Sequence, residues 1–375
     1  MTRGDELDEL FDYRFGGWPD YVIESPGRVN LIGEHTDYND GFASPMAIER
    51  SVLLAVRARD DDQVVMYSGS NPNSARFAIS DGQRLHGWGL YPQAVLWAMA
   101  QDGLEVQGFD GLLTSNIPSG SGLASSAALE LAVARAQVSL TNGEWDPTAM
   151  AMRCVRAENE WVGVACGVMD QLICATASAG EVSQLDCRDL SIEKMKLPDE
   201  LTVLVLHTGT KRGLRDSEYN DRRSTCERAA KMLDVGSLRD ATIEQIGSAG
   251  LDDATARRAR HVVSENQRVL DWGSALARRD WDAAGRLMVE SHRSLRDDYE
   301  VSGPALDAMV EVALRVDGVL GARLTGAGFA GAAVALVKST QAQRAAASID
   351  REFRIRYDSV PNIIPTRPAA GTRLL

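Results

Sequence analysis

Alternating apolar and polar residues predict a β-rich first part of the chain. Runs of this pattern cover residues 21–25, 28–32 and 51–58, and turn-forming residues follow at 68–74. Before the first of these runs, residues 1–20 have the pattern of a short acidic helix followed by a glycine-containing turn. We therefore expect several paired strands near the start of the fold.

Helical spacing of apolar residues replaces this alternation further along the chain. It predicts a helix over residues 90–99 and a second helix that begins at Ser125. A third helix has Asp146 as its N-cap and Pro147 in its first turn, and we expect it to run to about Val162. The first half of the chain thus combines strands with helices.

The second half continues this mixture. A loop at 188–200 precedes an apolar strand at 201–206, residues 222–315 are mostly helical with a break around 302–304, and a strand-like run covers 332–337.

The length of the chain predicts two domains. The chain has 375 residues, which exceeds an ordinary single domain. We place the boundary in the predicted loop 188–200, which divides the chain into residues 1–195 and residues 196–375.

Composition limits the classes of partner and the compartment. An apolar fraction of 44% and a charged fraction of 25% are typical of globular proteins, and the net charge of −13 argues against nucleic acids and anionic membranes as partners. The sequence has no apolar run long enough to span a membrane, and it starts with acidic residues, unlike a signal peptide. The five cysteines form no CxxC pair. We therefore expect a cytoplasmic protein with reduced thiols.

The stretch GRVNLIGEHTDYN, residues 27–39, concentrates polar groups around a short apolar strand. Val29 and Leu31 alternate with polar neighbours, which predicts a strand with one buried face. Gly33 follows, and its conformational freedom lets the chain form a turn at the end of this strand. The turn carries two carboxylates and an imidazole, from Glu34, Asp37 and His35. Such a cluster suits a ligand with many hydroxyl groups, although it also fits a solvated turn. A metal site is less favoured, because no second histidine at helical spacing and no matching cysteine accompany it.

A glycine-containing turn precedes the helix that begins at Ser125. Residues 109–116 have the pattern of a strand that continues into IPSGSGLASSAALELAVARAQ, where Gly120 and Gly122 let backbone N–H groups approach a ligand. A helix N-terminus behind such a turn favours phosphate, because its N–H groups and its dipole both attract anions. The pattern lacks the lysine of a Walker A loop and the third glycine of a dinucleotide fingerprint. An ordinary turn before a core helix is the alternative.

Two carboxylates lie at unusual positions on predicted helices. Glu158 shares a face with Ala151 and Cys154, where it needs a partner such as an arginine or a cation. A salt bridge is the ordinary explanation, and a Mg²⁺ site with a second oxygen from Ser126 is the more specific one. Asp170, within CGVMDQLICATASAG, lies in the first turn of the next helix, where it either caps that helix or orients a substrate hydroxyl.

Two further stretches leave structural and functional interpretations open. Trp88, Tyr91 and Trp97 form either part of the core or a platform for a nucleotide base. The run GARLTGAGFAGAAVALV at 321–337 has four glycines and little charge. It suits a loop packed against another loop or a phosphate, with a hairpin turn as the alternative.

The three glycine-bearing stretches, in this order, resemble the three motifs of the GHMP kinases, a family named after galactose, homoserine, mevalonate and phosphomevalonate kinases. The resemblance extends over nearly the whole chain. Within the family, GRVNLIGEHTDYN resembles the galactokinase signature, and CGVMDQ, SEYNDRR, SHRSLRDDYEVS and TGAGF are also similar to that pattern. The fold implied is the two-domain α+β GHMP arrangement, with an N-terminal domain like ribosomal protein S5 and a ferredoxin-like α+β C-terminal domain that closes the cleft for ATP.

The resemblance also implies roles for individual residues. Asp170 would face the C1 hydroxyl of the sugar as base or orienting group, and Arg28 would lie between Asp170 and the transferred phosphoryl group. The residues implied for sugar binding are Glu34, His35, Asp37, Gly167 and Tyr219. Those implied for the ATP phosphates are Gly120, Ser121, Gly122, Leu123, Ala124, Ser125 and Ser126. The Mg²⁺ ligands implied are Ser126 and Glu158. Gly326 and Gly328 would support the phosphate loop from the second domain.

Four positions depart from the family pattern. Ala124 replaces a frequent serine, Ala330 a usual glycine, Ala332 a common cysteine and Ser44 a usual leucine. None of these changes removes an implied catalytic group. Ala330 matters most if its position requires a positive φ, which a Cβ disfavours, and we expect altered nucleotide affinity before any loss of activity.

The activity implied is an ATP- and Mg²⁺-dependent galactokinase that forms α-galactose 1-phosphate in galactose catabolism. The alternatives are the same chemistry on another sugar, such as N-acetylgalactosamine, and a non-catalytic sensor that binds galactose and ATP. The intact run Gly120–Ala128 and the presence of Asp170 argue against the sensor. We expect a monomer whose partners are the sugar and ATP.

Overall fold

The computed structural model describes residues 2–69, 71–118, 120–210, 215–329 and 331–375. Helices and strands alternate irregularly within these residues. The helices are α1 (Arg3–Phe15), α2 (Leu90–Gln101), α3 (Ser125–Leu140), α4 (Pro147–Arg156), α5 (Met169–Thr176), α6 (Arg215–Met232), α7 (Ile243–Ser248), α8 (Asp253–Ala277), α9 (Trp281–Asp297), α10 (Pro304–Ala313) and α11 (Ala342–Arg356). The strands are β1 (Tyr21–Asn30), β2 (Phe42–Ala43), β3 (Pro45–Ala58), β4 (Gln63–Ser68), β5 (Asn71–Ala78), β6 (Phe109–Ser115), β7 (Glu181–Asp186), β8 (Ile192–Lys196), β9 (Leu201–His207), β10 (Val319–Leu324), β11 (Ala332–Lys338), β12 (Asn362–Thr366) and β13 (Arg373–Leu374).

Most elements lie where the apolar pattern predicts them. The helices α2 and α3 begin at the predicted residues, and Asp146 caps α4 by accepting a hydrogen bond from the Ala149 amide at 3.0 Å. The predicted helix does run to Val162, but α4 itself ends at Arg156 and the following segment Ala157–Val162 is π-helical. This wider turn carries Glu158.

A six-stranded sheet forms the framework of the first half. Its order is β13-β1-β3-β6-β4-β5, and neighbouring strands are antiparallel except for the parallel pair β4 and β6. The helix α3 packs against β1 and β3. Through this packing the N-terminus of α3 lies beside the end of β1, where the Arg28 amide donates to the Leu123 carbonyl at 3.1 Å.

Two smaller antiparallel sheets complete the fold. The sheet β10-β11-β9-β12 carries α9, α10 and α11, and the sheet β2-β7-β8 lies next to β3. The predicted loop at 188–200 is therefore wrong for Ile192–Lys196, which pairs with β7. Most of this strand is exposed or half-buried, so its short sequence has no clear apolar pattern.

The two halves of the chain share a buried core. Val203 and Val205 on one face of β9 join the apolar cluster that includes Leu31, whereas Leu204 and Leu206 on the other face join a second cluster within the second half. The boundary between residues 195 and 196 remains a proposal. Among the described residues, no helix combines the length and apolar character that a membrane crossing needs.

Residues 371–375 lie on the first sheet although they come late in the chain. The strand β13 pairs with β1, and the Leu375 amide donates to the Val22 carbonyl at 2.9 Å. The Gly371 amide donates to the carbonyl of Ala177 at 2.8 Å, and the Thr372 amide donates to that of Cys174 at 2.9 Å. This segment therefore joins β1 to the C-terminal end of α5, and we assign it to the first domain rather than the second.

Both faces of β1 are buried near its end. Val29 is fully buried as the alternation predicts, but Arg28 and Asn30, expected on the open face, are buried as well. The Thr325 hydroxyl lies 3.0 Å from the Asn30 amide and 3.1 Å from its carbonyl, so the second half of the chain covers this face. The prediction of a single buried face is wrong because β1 ends between the two domains.

Candidate active site

Nearly all the predicted site residues line one pocket of about 220 Å³. They are Arg28, Glu34, His35, Asp37, Gly120, Gly122, Leu123, Ala124, Ser125, Ser126, Glu158, Gly167, Asp170 and Tyr219. Ser121 is buried beneath the glycine turn instead, and its hydroxyl donates to the Pro118 carbonyl at 2.6 Å. The pocket thus brings the strand β1, the glycine turn, the π-helical segment and the start of α5 to one place.

Arg28 and Asp170 form a two-point ion pair in this pocket. Arg28 Nε donates to Asp170 Oδ1 at 2.8 Å and Nη2 donates to Oδ2 at 2.5 Å, while Nη1 donates to the Gly122 carbonyl at 2.6 Å. The Arg28 side chain is 5% exposed and that of Asp170 is 30% exposed. Burial alone would lower the pKa of Arg28, but the Asp170 carboxylate raises it. The pocket therefore contains a permanent positive charge held between a carboxylate and the glycine turn.

The glycine turn leaves the N-terminus of α3 open to the pocket. Gly120 and Gly122 have φ values of +67° and +77°, and Ala124 adopts the left-handed conformation at φ +58°. Ala124 is the N-cap residue of α3, so no side-chain hydrogen bond caps this helix. Because the first N–H groups of a helix need partners, this end of α3 has the properties of an anion site.

A second glycine turn, from the second half of the chain, packs against the first. Gly326 has φ +77°, and a Cβ atom there would lie 2.8 Å from the Gly122 carbonyl oxygen. Gly328 has φ +78°, and a Cβ atom there would lie 2.3 Å from the Val301 carbonyl oxygen. The contact supports the predicted packing of one glycine loop on another. Ala330 lies outside the described residues, so its predicted effect remains a prediction.

Glu34 is buried where the two domains meet. Its Oε2 lies 2.8 Å from Arg323 Nη2 and accepts a hydrogen bond from Asn30 Nδ2 at 2.9 Å, while Oε1 accepts one from the Gly326 amide at 2.5 Å. Burial raises the pKa of Glu34 above its usual value, although the Arg323 charge acts in the opposite direction. Glu34 therefore links the β1 turn to the second glycine turn.

His35 lines the pocket, and a tyrosine holds one of its ring nitrogens. Its Nδ1 is 2.8 Å from the Tyr38 hydroxyl, which is 2.7 Å from the Tyr299 hydroxyl, whereas the buried Nε2 has no partner among the described residues. Burial lowers the pKa of His35 well below its usual value, so the ring is neutral at physiological pH. A neutral ring has one nitrogen that donates and one that accepts a hydrogen bond, so His35 adds polar character to the pocket without a charge.

Asp37, Gly167 and Tyr219 form another part of the pocket wall. A Cβ atom at Gly167 would lie 1.9 Å from Asp37 Oδ2, so only glycine fits beside this carboxylate. The ring of Tyr219 is 5.7 Å from that of His35 and 5.4 Å from that of Tyr38. Burial, together with the charge of Asp170, raises the pKa of Asp37 from 3.8 to about 6.

Replacing Asp37 by asparagine is expected to raise the free energy of unfolding at neutral pH by about 2 kcal/mol. The pKa of Asp37 is higher in the folded state than its ordinary value of 3.8. The folded state therefore favours the protonated form of Asp37. This stabilisation is complete below about pH 4 and is lost as the pH rises through about 6, where the carboxyl group ionises. This difference in pKa corresponds to about 3 kcal/mol, which we reduce to about 2 kcal/mol because the side chain is only partly buried.

Urea unfolding of the wild type and Asp37→Asn at about pH 7.5 and about pH 4.5 measures this effect. The extra stability of the variant must shrink at the lower pH. Asp40→Asn, which removes a charge from a side chain that is 50% exposed on the same turn, is the control and should change little. An Asp37→Asn variant no more stable than the wild type at the higher pH contradicts the prediction.

Ser126 and Glu158, the predicted Mg²⁺ ligands, both line the pocket. Glu158 Oε2 accepts a hydrogen bond from Gln171 Nε2 at 2.6 Å. Among the described residues, no group of three or more histidine, cysteine, aspartate or glutamate side chains is arranged to hold a metal ion. Hydroxyl and carboxylate oxygens nevertheless suit Mg²⁺, which commonly binds through one or two protein ligands together with substrate phosphates and water. The residues fit an ion shared with phosphates.

Sequence reasoning missed the buried residues with which the second half of the chain holds the β1 turn. Besides Arg323, Glu265 in α8 accepts a hydrogen bond from the Gly33 amide at 2.9 Å, and His261 Nε2 lies 3.1 Å from the Glu34 carbonyl. Both α8 side chains are fully buried. Their sequence signal is weak, because it consists of two polar residues four positions apart on the buried face of a helix.

The aromatic cluster is only partly at the pocket. Tyr91 lines it, whereas Trp97 packs against Trp161 with ring centroids 5.1 Å apart. Any platform for a base therefore involves Tyr91 rather than Trp97.

Three family models match the chain. The galactokinase galactose-binding signature matches residues 9–58, the GHMP kinase N-terminal domain matches 91–178, and the GHMP kinase C-terminal domain matches 274–355. The first match contains the β1 turn, and the second contains the glycine turn, Glu158 and Asp170.

Similar proteins cover almost the full chain. The galactokinase of Chloroflexus aggregans is 41% identical in an alignment that covers 92% of this chain and 91% of that protein. The galactokinase of Streptomyces coelicolor is 39% identical and covers 100% of this chain and 98% of its own length. The crystal structure of Lactococcus lactis galactokinase complexed with galactose matches with a TM-score of 0.96 at 31% identity, over 100% of both chains. A mevalonate kinase, at a TM-score of 0.65 and 19% identity, shares the fold.

Proposed function

The chain belongs to the galactokinase family of the GHMP kinases, and we propose that it transfers the γ-phosphoryl group of ATP to the C1 hydroxyl of galactose. The product is α-galactose 1-phosphate. The observation that carries this proposal is the meeting of three features in one pocket: the residues of the galactose-binding signature, the Arg28–Asp170 pair and the open N-terminus of α3. They supply sugar recognition, a charged centre and a phosphate site.

The sugar occupies the part of the pocket lined by the β1 turn. The groups assigned to its hydroxyls are Glu34, His35, Asp37, Gly167 and Tyr219. They combine charged acceptors, a neutral imidazole and a phenol, which is the mixture that several neighbouring hydroxyl groups require. Asp37 also leaves little room for any side chain at position 167, so the sugar can approach the backbone there.

Asp170 and Arg28 act on the two reacting groups. Asp170 orients the C1 hydroxyl and is placed to accept its proton. The hydroxyl oxygen forms a bond to the γ-phosphorus while the bond from this phosphorus to the bridging oxygen of ADP breaks. Arg28 holds Asp170 through two hydrogen bonds and stabilises the negative charge of the transferring group, because its guanidinium is already fixed in the pocket.

The glycine turn and the start of α3 bind the ATP phosphates through backbone N–H groups. Gly120, Gly122, Leu123, Ala124, Ser125 and Ser126 line this part of the pocket. A Mg²⁺ ion held by Ser126 and Glu158 would neutralise phosphate charge there. We also propose a cytoplasmic location, which the five free cysteines support, and a monomeric state.

ADP release in the presence of ATP and Mg²⁺, measured separately with galactose, N-acetylgalactosamine, glucose and arabinose, tests the proposal. We expect turnover with galactose well above that with the other three sugars. Preference for N-acetylgalactosamine would reassign the substrate. Binding of galactose and ATP without turnover of any sugar would replace the kinase by a sensor.

A further inference from the structure

Three buried polar side chains meet just behind the pocket. Gln171 Nε2 donates to Glu158 Oε2 at 2.6 Å and to Glu130 Oε2 at 3.1 Å. Glu130 and Gln171 are fully buried, and Glu158 is 7% exposed. Glu158 lines the pocket, whereas Glu130 does not. One amide group therefore connects a carboxylate at the pocket with a carboxylate that no ligand in the pocket can reach.

The orientation of Gln171 follows from the chemistry of its neighbours. The NH₂ end of Gln171 faces both glutamates and donates to one oxygen of each, and Cys166 Sγ lies 3.9 Å from the same nitrogen. The other end of the amide, Oε1, has no partner among the described residues. Glu130 is therefore the main group, besides Glu158, that holds the amide in place.

The cluster connects three elements of the proposed machinery. Glu130 lies in α3 one turn after Ser126, which belongs to the phosphate site. Gln171 follows Asp170 in α5, and Glu158 belongs to the π-helical segment. A buried pair of carboxylates is costly, so its presence in the core calls for a compensating role.

We propose that Glu130 is a positioning residue for the divalent cation: it fixes the Gln171 amide, which in turn directs the Glu158 carboxylate toward the pocket. This inference rests on the proposed function for the identity of the cation and its ligand. Partners that orient metal ligands through hydrogen bonds commonly change metal affinity by about 10–100-fold when they are removed. Glu130 touches neither the sugar nor the nucleotide.

The test compares Glu130→Leu with Glu130→Gln in the full chain. Leucine removes the acceptor oxygen that holds Gln171, whereas the amide of glutamine keeps one. The readout is the affinity of the protein for Mn²⁺ in the presence of a non-hydrolysable ATP analogue, followed by electron paramagnetic resonance. We expect Glu130→Leu to weaken Mn²⁺ binding by about 10–100-fold and to raise the Mg²⁺ concentration needed for half-maximal turnover, while Glu130→Gln stays within about 3-fold of the wild type.

Gln137→Leu is the matched control. Gln137 is fully buried two turns further along α3, and it exchanges two hydrogen bonds of 2.9 Å with the backbone of Gln107. The control therefore loses a buried polar group from the same helix without contact with Gln171. We expect it to lower the melting temperature and to leave Mn²⁺ affinity unchanged.

The inference would be overturned if Glu130→Leu bound Mn²⁺ as tightly as Gln137→Leu does. If Glu130→Leu does not fold, Gln171→Met decides, because it removes the amide and keeps both glutamates; unchanged Mn²⁺ affinity would then refute the positioning role. Failure of the proposed function would give a different result, namely a wild-type protein that does not phosphorylate galactose. Mn²⁺ binding is measured without turnover.

Discussion

Replacing Asp170 by asparagine is expected to lower kcat for galactose phosphorylation by about 10²–10⁴-fold and to leave galactose affinity nearly unchanged. Asparagine has almost the same shape and keeps one acceptor oxygen for Arg28, but it cannot take the proton of the C1 hydroxyl. Its neutral side chain also changes the charge next to the transferring group. The measurements are kcat from ADP release and galactose affinity from calorimetry.

The control for Asp170→Asn is the same substitution in another arginine–aspartate pair. Asp186 forms a two-point pair with Arg239, at 2.5 and 2.8 Å, and does not line the pocket. Asp186→Asn should change stability without a comparable loss of kcat. If Asp170→Asn retains near-normal turnover, or if galactose binding disappears together with kcat, the role assigned to Asp170 is wrong.

The second large effect is expected for Arg28→Met, which should lower kcat by about 10³-fold. Methionine approximates the length of the arginine stem and removes the charge. Asp170 then loses its two hydrogen bonds, and the Gly122 carbonyl loses the donor at 2.6 Å that holds the glycine turn. We therefore expect a rise in KM for ATP as well as the fall in kcat.

Arg28→Lys and a double variant separate charge from geometry. Lysine keeps the positive charge but cannot form the two-point pair and the carbonyl contact together, so it should recover only part of the loss. Arg28→Met combined with Asp170→Asn should cost much less than the product of the two single effects, because the residues act as one unit. Additive effects would show that Arg28 and Asp170 work independently. Arg239→Met is the control for loss of a paired arginine.

The pocket could be predicted from the sequence as far as its residues lie in short motifs. The turn with Glu34, His35 and Asp37 and the start of α3 are each set by a few neighbouring residues, including glycines that permit the left-handed backbone. Residue spacing alone could not exclude a solvated turn and an ordinary helix cap. Only the resemblance to the GHMP kinases implied that these two segments meet in one pocket. Ser121 shows the limit of such motifs, since it lies within the loop but turns into the protein.

The buried polar residues with which the second domain holds the β1 turn could not be predicted in this way. Arg323 and Glu265 lie far along the chain from the β1 turn that they contact, and nothing in local periodicity indicates which distant residues will cover a strand. The same reason explains the buried face of Arg28 and Asn30, which alternation assigned to the open side. The π-helical geometry of the segment that carries Glu158 was not predicted either, because a single wider turn does not disturb the apolar pattern enough to be recognised.

The pairing of residues 371–375 with β1 has a consequence for how the molecule is made. A ribosome delivers β1 early and this closing segment only after both domains have been translated. Until then, the edge of the first sheet stays unpaired, and the carbonyl groups of Cys174 and Ala177 lack the amides that complete the end of the Asp170 helix. Residues 371–375 therefore complete the edge of the first sheet and the end of α5, although most of that sheet and this helix are synthesised long before them.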